Sequence, residues 1–247
     1  MAVHFYGVVS AGTSLPSTVR GRNDAPLRTI EVGDVAAIVS DVDVEARIRR
    51  ADLMAHAHVL DAIVEDTTVL PMRFGILVDS DEEVAEQVLR PAETRLVSLL
   101  EEFHGLQQLT IKASHDEDEV LRHLLAERPD VRELRDSIGI RDDHMYGRKL
   151  HLGQVVAEGV EAIGRADAAM LIDELTPLAH DVSVEEPTQQ QVLQIALLVR
   201  RSDRPRVDAA IKNLSQKLPS RLRLRYVGPQ PPYAFIDTAT ASEPAWA

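Results

Sequence analysis

Cysteine is absent from the 247 residues. No disulfide and no thiolate metal site can form, which suits a reducing cytoplasm. No window holds 18 consecutive apolar residues, so no membrane-spanning helix is expected. The N-terminus has no basic segment followed by a long apolar run, so no secretory signal is expected. Aromatics make up only 4% of the chain, too few for a base-stacking platform. A net charge of −13 disfavours general binding to nucleic acid or anionic lipid. These absences describe a soluble, cytoplasmic protein with neither nucleic acid nor membrane as partner.

Catalytic signatures are also missing. There is no GxSxG elbow, no P-loop, no HExxH and no GxGxxG after a strand. His56 and His58 would lie about 200° apart on a helix and could not grip one ion. His56 falls on an apolar stripe with Leu53 and Leu60, which reads as a packed histidine with one ring hydrogen bond. The acidic runs Asp79–Glu83 and Asp116–Glu119 suit first helical turns, where carboxylates complement the macrodipole. No cofactor, metal or catalytic residue is expected.

What the chain does have is enough apolar residue, 45%, for a normal core. Its charge is uneven: Arg200 to Arg225 carries a local +7, which leaves −20 on the remainder. Val3–Val9 reads as a strand, and Arg28–Val32 with Val35–Val39 as a tight hairpin about Gly33-Asp34. A helix is expected over Val44–Asp66, a strand interrupted by Pro71 over Thr68–Val78, and a helix from a Ser80–Glu83 capping box to Phe103. A strand over Gln107–Ala113 closes this half, giving an α+β layout with helices on one sheet face. In the second half a box at Ser114–Glu117 opens a helix that breaks near Pro129. A long helix then runs from Asp143 to Leu178, with a seam of Leu152, Val156, Gly159, Ile163, Ala166 and Met170. Val192–Val199, a helix to Lys217 and the alternating Arg221–Val227 form a βαβ unit whose strands are expected to be parallel. Domain bounds are placed at 1–113 and 114–236, with a flexible tail at 237–247 that carries Trp246.

Two runs stand apart. Val69-Leu70-Pro71-Met72-Arg73-Phe74-Gly75 and Gly228-Pro229-Gln230-Pro231-Pro232-Tyr233-Ala234-Phe235 each set Pro, Gly and aromatics beside a strand. Such residues fix backbone direction and present a few large side chains. Pro71, Arg73, Phe74, Pro229, Pro232 and Tyr233 are therefore the candidate partner-binding residues.

These runs resemble the hallmark segments of the gas vesicle protein GvpL/GvpF family. So do Tyr6-Gly7-Val8-Val9, the stretch Ile76–Val84 and the strand Val192–Val199. Gln230 and Ala234 stand where the family more usually has Trp and Ser. The resemblance covers about residues 3 to 236. It implies a ferredoxin-like N-terminal domain and a C-terminal domain with a long helical pair and a small sheet. It further implies an accessory protein of gas vesicle assembly. Such a protein contacts the hydrophobic shell protein and other gas vesicle accessory proteins, located in the cytoplasm and at the vesicle. The competing reading is a small-molecule or metal-dependent enzyme on a ferredoxin-like scaffold.

Overall fold

The computed structural model describes residues 2–43, 48–138, 146–188 and 191–236. The expected tail with Trp246 and the expected helix starts at Val44 and Asp143 lie outside the described residues. The chain forms a mixed helix and sheet structure with two antiparallel sheets. Two compact units divide it: Met1–Leu109 with Leu198–Arg204 and Val227–Ala247, and Thr110–Leu197 with Pro205–Tyr226.

The first sheet has the order β2-β3-β1-β4, from β1 (Ala2–Ser10), β2 (Arg28–Val32), β3 (Val35–Val42) and β4 (Leu70–Pro71), and β5 (Leu77–Val78) also pairs with β1. The hairpin about Gly33-Asp34 closes with Val32 opposite Val35, as its two-residue link requires. Both faces of β1 and β3 are buried. Val3, Phe5 and Val8 join Val35, Ala37 and Val39 in one cluster with Leu100 and Phe103. Tyr6 and Val9 join Ala36 and Ile38 in another with Val59, Leu60 and Ile63. Strict alternation would send Val8 to the Tyr6 side. A β-bulge between Phe5 and Gly7 shifts the register and returns it to the Phe5 side.

This corrects the expected one-sided layout. Helix α1 (Arg50–Val64) covers one face, and α3 (Arg90–Glu102) the other. The near-continuous apolar runs of β1 and β3 are the sequence mark of strands buried on both sides. Helix α3 follows α2 (Asp81–Glu83) and a π-helical stretch, Val84–Leu89, just before Pro91, which has no amide to donate. The Ser80 cap is as expected, its hydroxyl accepting the Glu83 amide at 3.1 Å.

The second sheet has the order β7-β8-β6-β9, from β6 (Leu106–His115), β7 (Asp181–Glu185), β8 (Leu193–Arg200) and β9 (Leu222–Gln230). The strand expected to close the first half of the chain is thus a central strand of the second sheet. Strands β8 and β9, joined through α7 (Arg204–Lys217), flank β6 and run parallel to one another without touching. The expected cap at Ser114 also moves. Strand β6 continues to His115, and Asp116 caps α4 (Glu117–Glu127) by accepting the Glu119 amide at 3.3 Å.

Pro129 begins a helix instead of ending one. Its missing N–H costs nothing at the first turn of α5 (Pro129–Asp136). Helices α4 and α5 pack on α6 (Tyr146–Leu175). At Gly159 a Cβ would fall 2.6 Å from Leu124 Cδ1, so glycine permits the close approach of α4. The expected seam holds to Ile163 and diverges at Ala166, which is exposed. The buried line continues through Asp167, Leu171 and Leu175, because Asp167 is an ion-paired acid that apolar periodicity cannot register.

Candidate functional site

The first hallmark run forms an arch on the edge of the first sheet. Expected as one strand, it is two short ones, Leu70–Pro71 and Leu77–Val78, with a turn at Phe74-Gly75 between them. Pro71 pairs with Gly7 and Val78 with Val3, both on β1. Between them the Met72 amide donates to the Tyr6 carbonyl at 2.9 Å, and the Phe5 amide to the Ile76 carbonyl at 3.2 Å. Arg73, Phe74 and Gly75 bow out between these two anchors, opposite the β1 bulge. Arg73 is exposed, and Phe74 and Pro71 are half-buried.

The Phe74 ring seats on two imidazoles, 5.6 Å from His4 and 5.6 Å from His56. His56 Nε2 bonds the Met72 carbonyl at 3.0 Å, and His56 Nδ1 lies 3.0 Å from His4 Nε2. Tyr6 stacks on His56, accepts the Arg22 amide at 2.7 Å and bonds Ser40 Oγ at 2.9 Å. Arg22 and Asp52 form a buried ion pair at 3.3 Å. His56 is packed as expected but makes two ring bonds, while His58 is exposed. Leu53, assigned to the same apolar stripe, faces solvent at 48% exposure.

Sequence reasoning missed His4, Arg22 and Asp52. The available signal was His4 itself, a polar residue inside the apolar run of β1. The long loop before β2 gave no sign that Arg22 would be buried.

The second run packs mainly inward. Pro229, Pro231 and Pro232 are buried, and the Gly228–Pro229 bond is cis. The Ala234 amide donates to Gln108 Oε1 at 2.8 Å, and Phe235 packs against the core that holds Phe5 and Phe103. Tyr233 remains 40% exposed. Surrounding protein and the Asp61 carboxylate of α1 raise the pKa of its phenol. Helix α1 thus meets both runs, Phe74 at His56 and Tyr233 near Asp61. Among the six candidates, Arg73 and Tyr233 offer the exposed side chains.

Each unit also has an open groove. In the first, about 590 Å³ is lined by residues that include Ala11, Asp34, Val97 and Glu101. In the second, about 480 Å³ lies against Leu124, Glu127, Ile163 and Arg221. Among the described residues no group of three or more His, Asp and Glu side chains could hold a metal ion. No described helix is long and apolar enough to cross a membrane.

The family model for gas vesicle synthesis protein GvpL/GvpF matches residues 2–237. Gas vesicle protein F of Streptomyces sp. is 35% identical over 240 residues, 96% of this chain and 100% of that one. Gas vesicle protein F2 of Halobacterium salinarum is 27% identical over 250 residues, 98% of this chain and 95% of that one. The crystal structure of GvpF from Anabaena sp. PCC7120 shares the fold, with a TM-score of 0.77 at 24% identity over 95% of this chain and 97% of that one. The crystal structure of GvpF from Microcystis aeruginosa gives 0.76, also at 24% identity, over 95% and 98%. The chain belongs to the gas vesicle synthesis protein GvpL/GvpF family.

Proposed function

We propose that this chain is an accessory protein of gas vesicle assembly. It works in the cytoplasm without catalysing a reaction, binds the hydrophobic shell protein, and stays with the vesicle as a minor component. Other gas vesicle accessory proteins are its further partners. Family membership over essentially the whole chain is the observation that carries this reading.

The physics is favourable. A shell subunit that builds a water-excluding wall exposes apolar surface before assembly, and such surface aggregates unless covered. A partner of net charge −13 keeps the covered complex dispersed. The arch at the sheet edge offers a cation, Arg73, beside the half-buried Phe74. Pro71 fixes where the arch leaves the sheet. Pro229 and Pro232 fix the segment that holds Tyr233 outward. An extended segment docking beside that edge would use the arch as its side-chain contact. The enzyme reading has no observation in its favour.

Co-purification tests the proposal. The shell protein is expected to stay in solution only when produced with this chain, and to be captured by it. Arg73→Ala, Phe74→Ala and Tyr233→Ala should each weaken capture while the fold is kept. Shell protein that stays soluble alone and is not retained would overturn the function. Full capture by all three variants would remove the contact residues. Washed, intact vesicles free of the chain would remove its place as a component.

A further inference from the structure

The hydrogen-bond directions beneath the arch can be assigned from chemistry. A carbonyl only accepts, so in the 3.0 Å bond to Met72 it is His56 Nε2 that carries the proton. A neutral imidazole then has a bare Nδ1. At 3.0 Å that nitrogen accepts from His4 Nε2, which must be protonated. His4 Nδ1 is left as the bare nitrogen, and it is buried without a hydrogen-bond partner. Donation therefore runs one way, from His4 to His56 to the backbone of the arch.

The groups facing this pair come from four elements. Tyr6 lies on β1, Asp52 on α1, Arg22 on the turn before β2, and Phe74 on the arch. Asp52 and Arg22 offset one another as an ion pair. Burial, then the positive fields of His56 and Arg22, lower the His4 pKa to about 4 against the opposing Asp52. Burial lowers His56 as well, against the Met72 carbonyl. Both rings are therefore neutral near pH 7.

We infer that His4 and His56 are positioning residues. As a pair of neutral Nε2–H tautomers they latch Met72 and seat Phe74, so that the Arg73–Gly75 arch is held in one conformation. The inference rests on the reading of the arch as a contact site, but its test needs no partner. Without the latch the Met72 carbonyl loses its donor, and Phe74 loses the imidazole surface that fixes its ring. Arg73, between them, then loses its direction.

Two measurements on the full chain check this. Imidazole nitrogen NMR should show His4 and His56 both protonated at Nε2 and uncharged near pH 7, with His4 charging only as the pH approaches 4 and His56 only below the ordinary histidine range. An Nδ1–H tautomer on His56, or titration of both rings near their ordinary pKa, would overturn the latch. Trypsin can cut after Arg73 only when the arch opens. His56→Leu should speed that cleavage about tenfold relative to the other sites, as expected for a lost local hydrogen bond. His56→Gln, whose amide can still donate to Met72, should stay within about twofold of wild type. Equal cleavage in all three proteins, or equal opening by Gln and Leu, would refute the inference. Capture by Arg73→Ala, tested separately, decides the contact reading.

Discussion

Arg221 holds both carboxylate oxygens of Asp167 with one edge of its guanidinium, Nε to Oδ2 at 2.8 Å and Nη2 to Oδ1 at 2.6 Å, although Asp167 is only 3% exposed. His115 Nε2 donates a third bond to Oδ2 at 2.9 Å. The acid joins the middle of α6 to the end of β6 and the start of β9. Removing it leaves a cation and an imidazole without their shared acceptor. Asp167→Ala should therefore cost about 3–5 kcal/mol, read from denaturant midpoints, and Asp167→Asn somewhat less. Adding Arg221→Met to the Ala variant should recover part of the loss, because the stranded charge is then gone too. Burial alone would raise the Asp167 pKa, but the bonds from Arg221 and His115 outweigh it and leave a net lowering. Its stabilising effect is thus complete above the ordinary carboxylate range and is lost as pH falls through the depressed value.

Asp61 has the opposite sign. Burial, with help from Glu65 and against His58, lifts its carboxyl to about 6. A folded-state pKa above the unfolded one favours folding at low pH, and that advantage is lost as pH rises from about 4 through 6. Asp61→Asn removes a charge the fold disfavours at neutral pH. It should raise stability at pH 7 by about 1–2 kcal/mol after allowance for solvent screening, and by nearly nothing at pH 4. Thermal melts of both proteins across that range check it. Equal melting temperatures at pH 7 would mean that Asp61 ionises freely.

Most strands, most helices and the family were legible in the sequence because periodicity, caps and two long ordered motifs are local. The alternating Leu222, Leu224 and basic residues of β9 named a strand, and Ser80 named a helix start. What was not legible is long-range. Gln107–Ala113 reads as a strand in any sheet, and only the fold shows it between β8 and β9. The five residues of β7, Asp-Val-Ser-Val-Glu, are too short and polar to announce themselves. Buried charge is the harder case. Asp167, Arg22 and Asp52 look like surface residues until their partners, far away in sequence, arrive beside them. The candidate contact residues were visible as motifs, yet which of them face solvent was not. Proline and tyrosine one residue apart, Pro232 and Tyr233, take opposite sides.

Gly228 offers a sharper test of how the second motif is built. Its φ is +153°, a backbone conformation that L residues rarely adopt. There is no room for a side chain either. A Cβ would stand 2.8 Å from Leu109 Cδ2, 3.2 Å from the Gln108 carbonyl and 3.3 Å from Leu109 Cα. Leucine could swing its methyl aside, but the two backbone atoms belong to β6 and cannot move without disturbing its pairing. Gly228→Ala must therefore shift β9 and the proline segment after it, which also pulls the Ala234 amide from Gln108. The expected cost is about 1–3 kcal/mol in denaturant unfolding. Hydrogen exchange should localise the change, with the Ala234 and Phe235 amides losing protection first and the Val35–Val42 strand keeping it. A variant as stable as wild type, with Ala234 still protected, would show that the segment does not depend on this close approach.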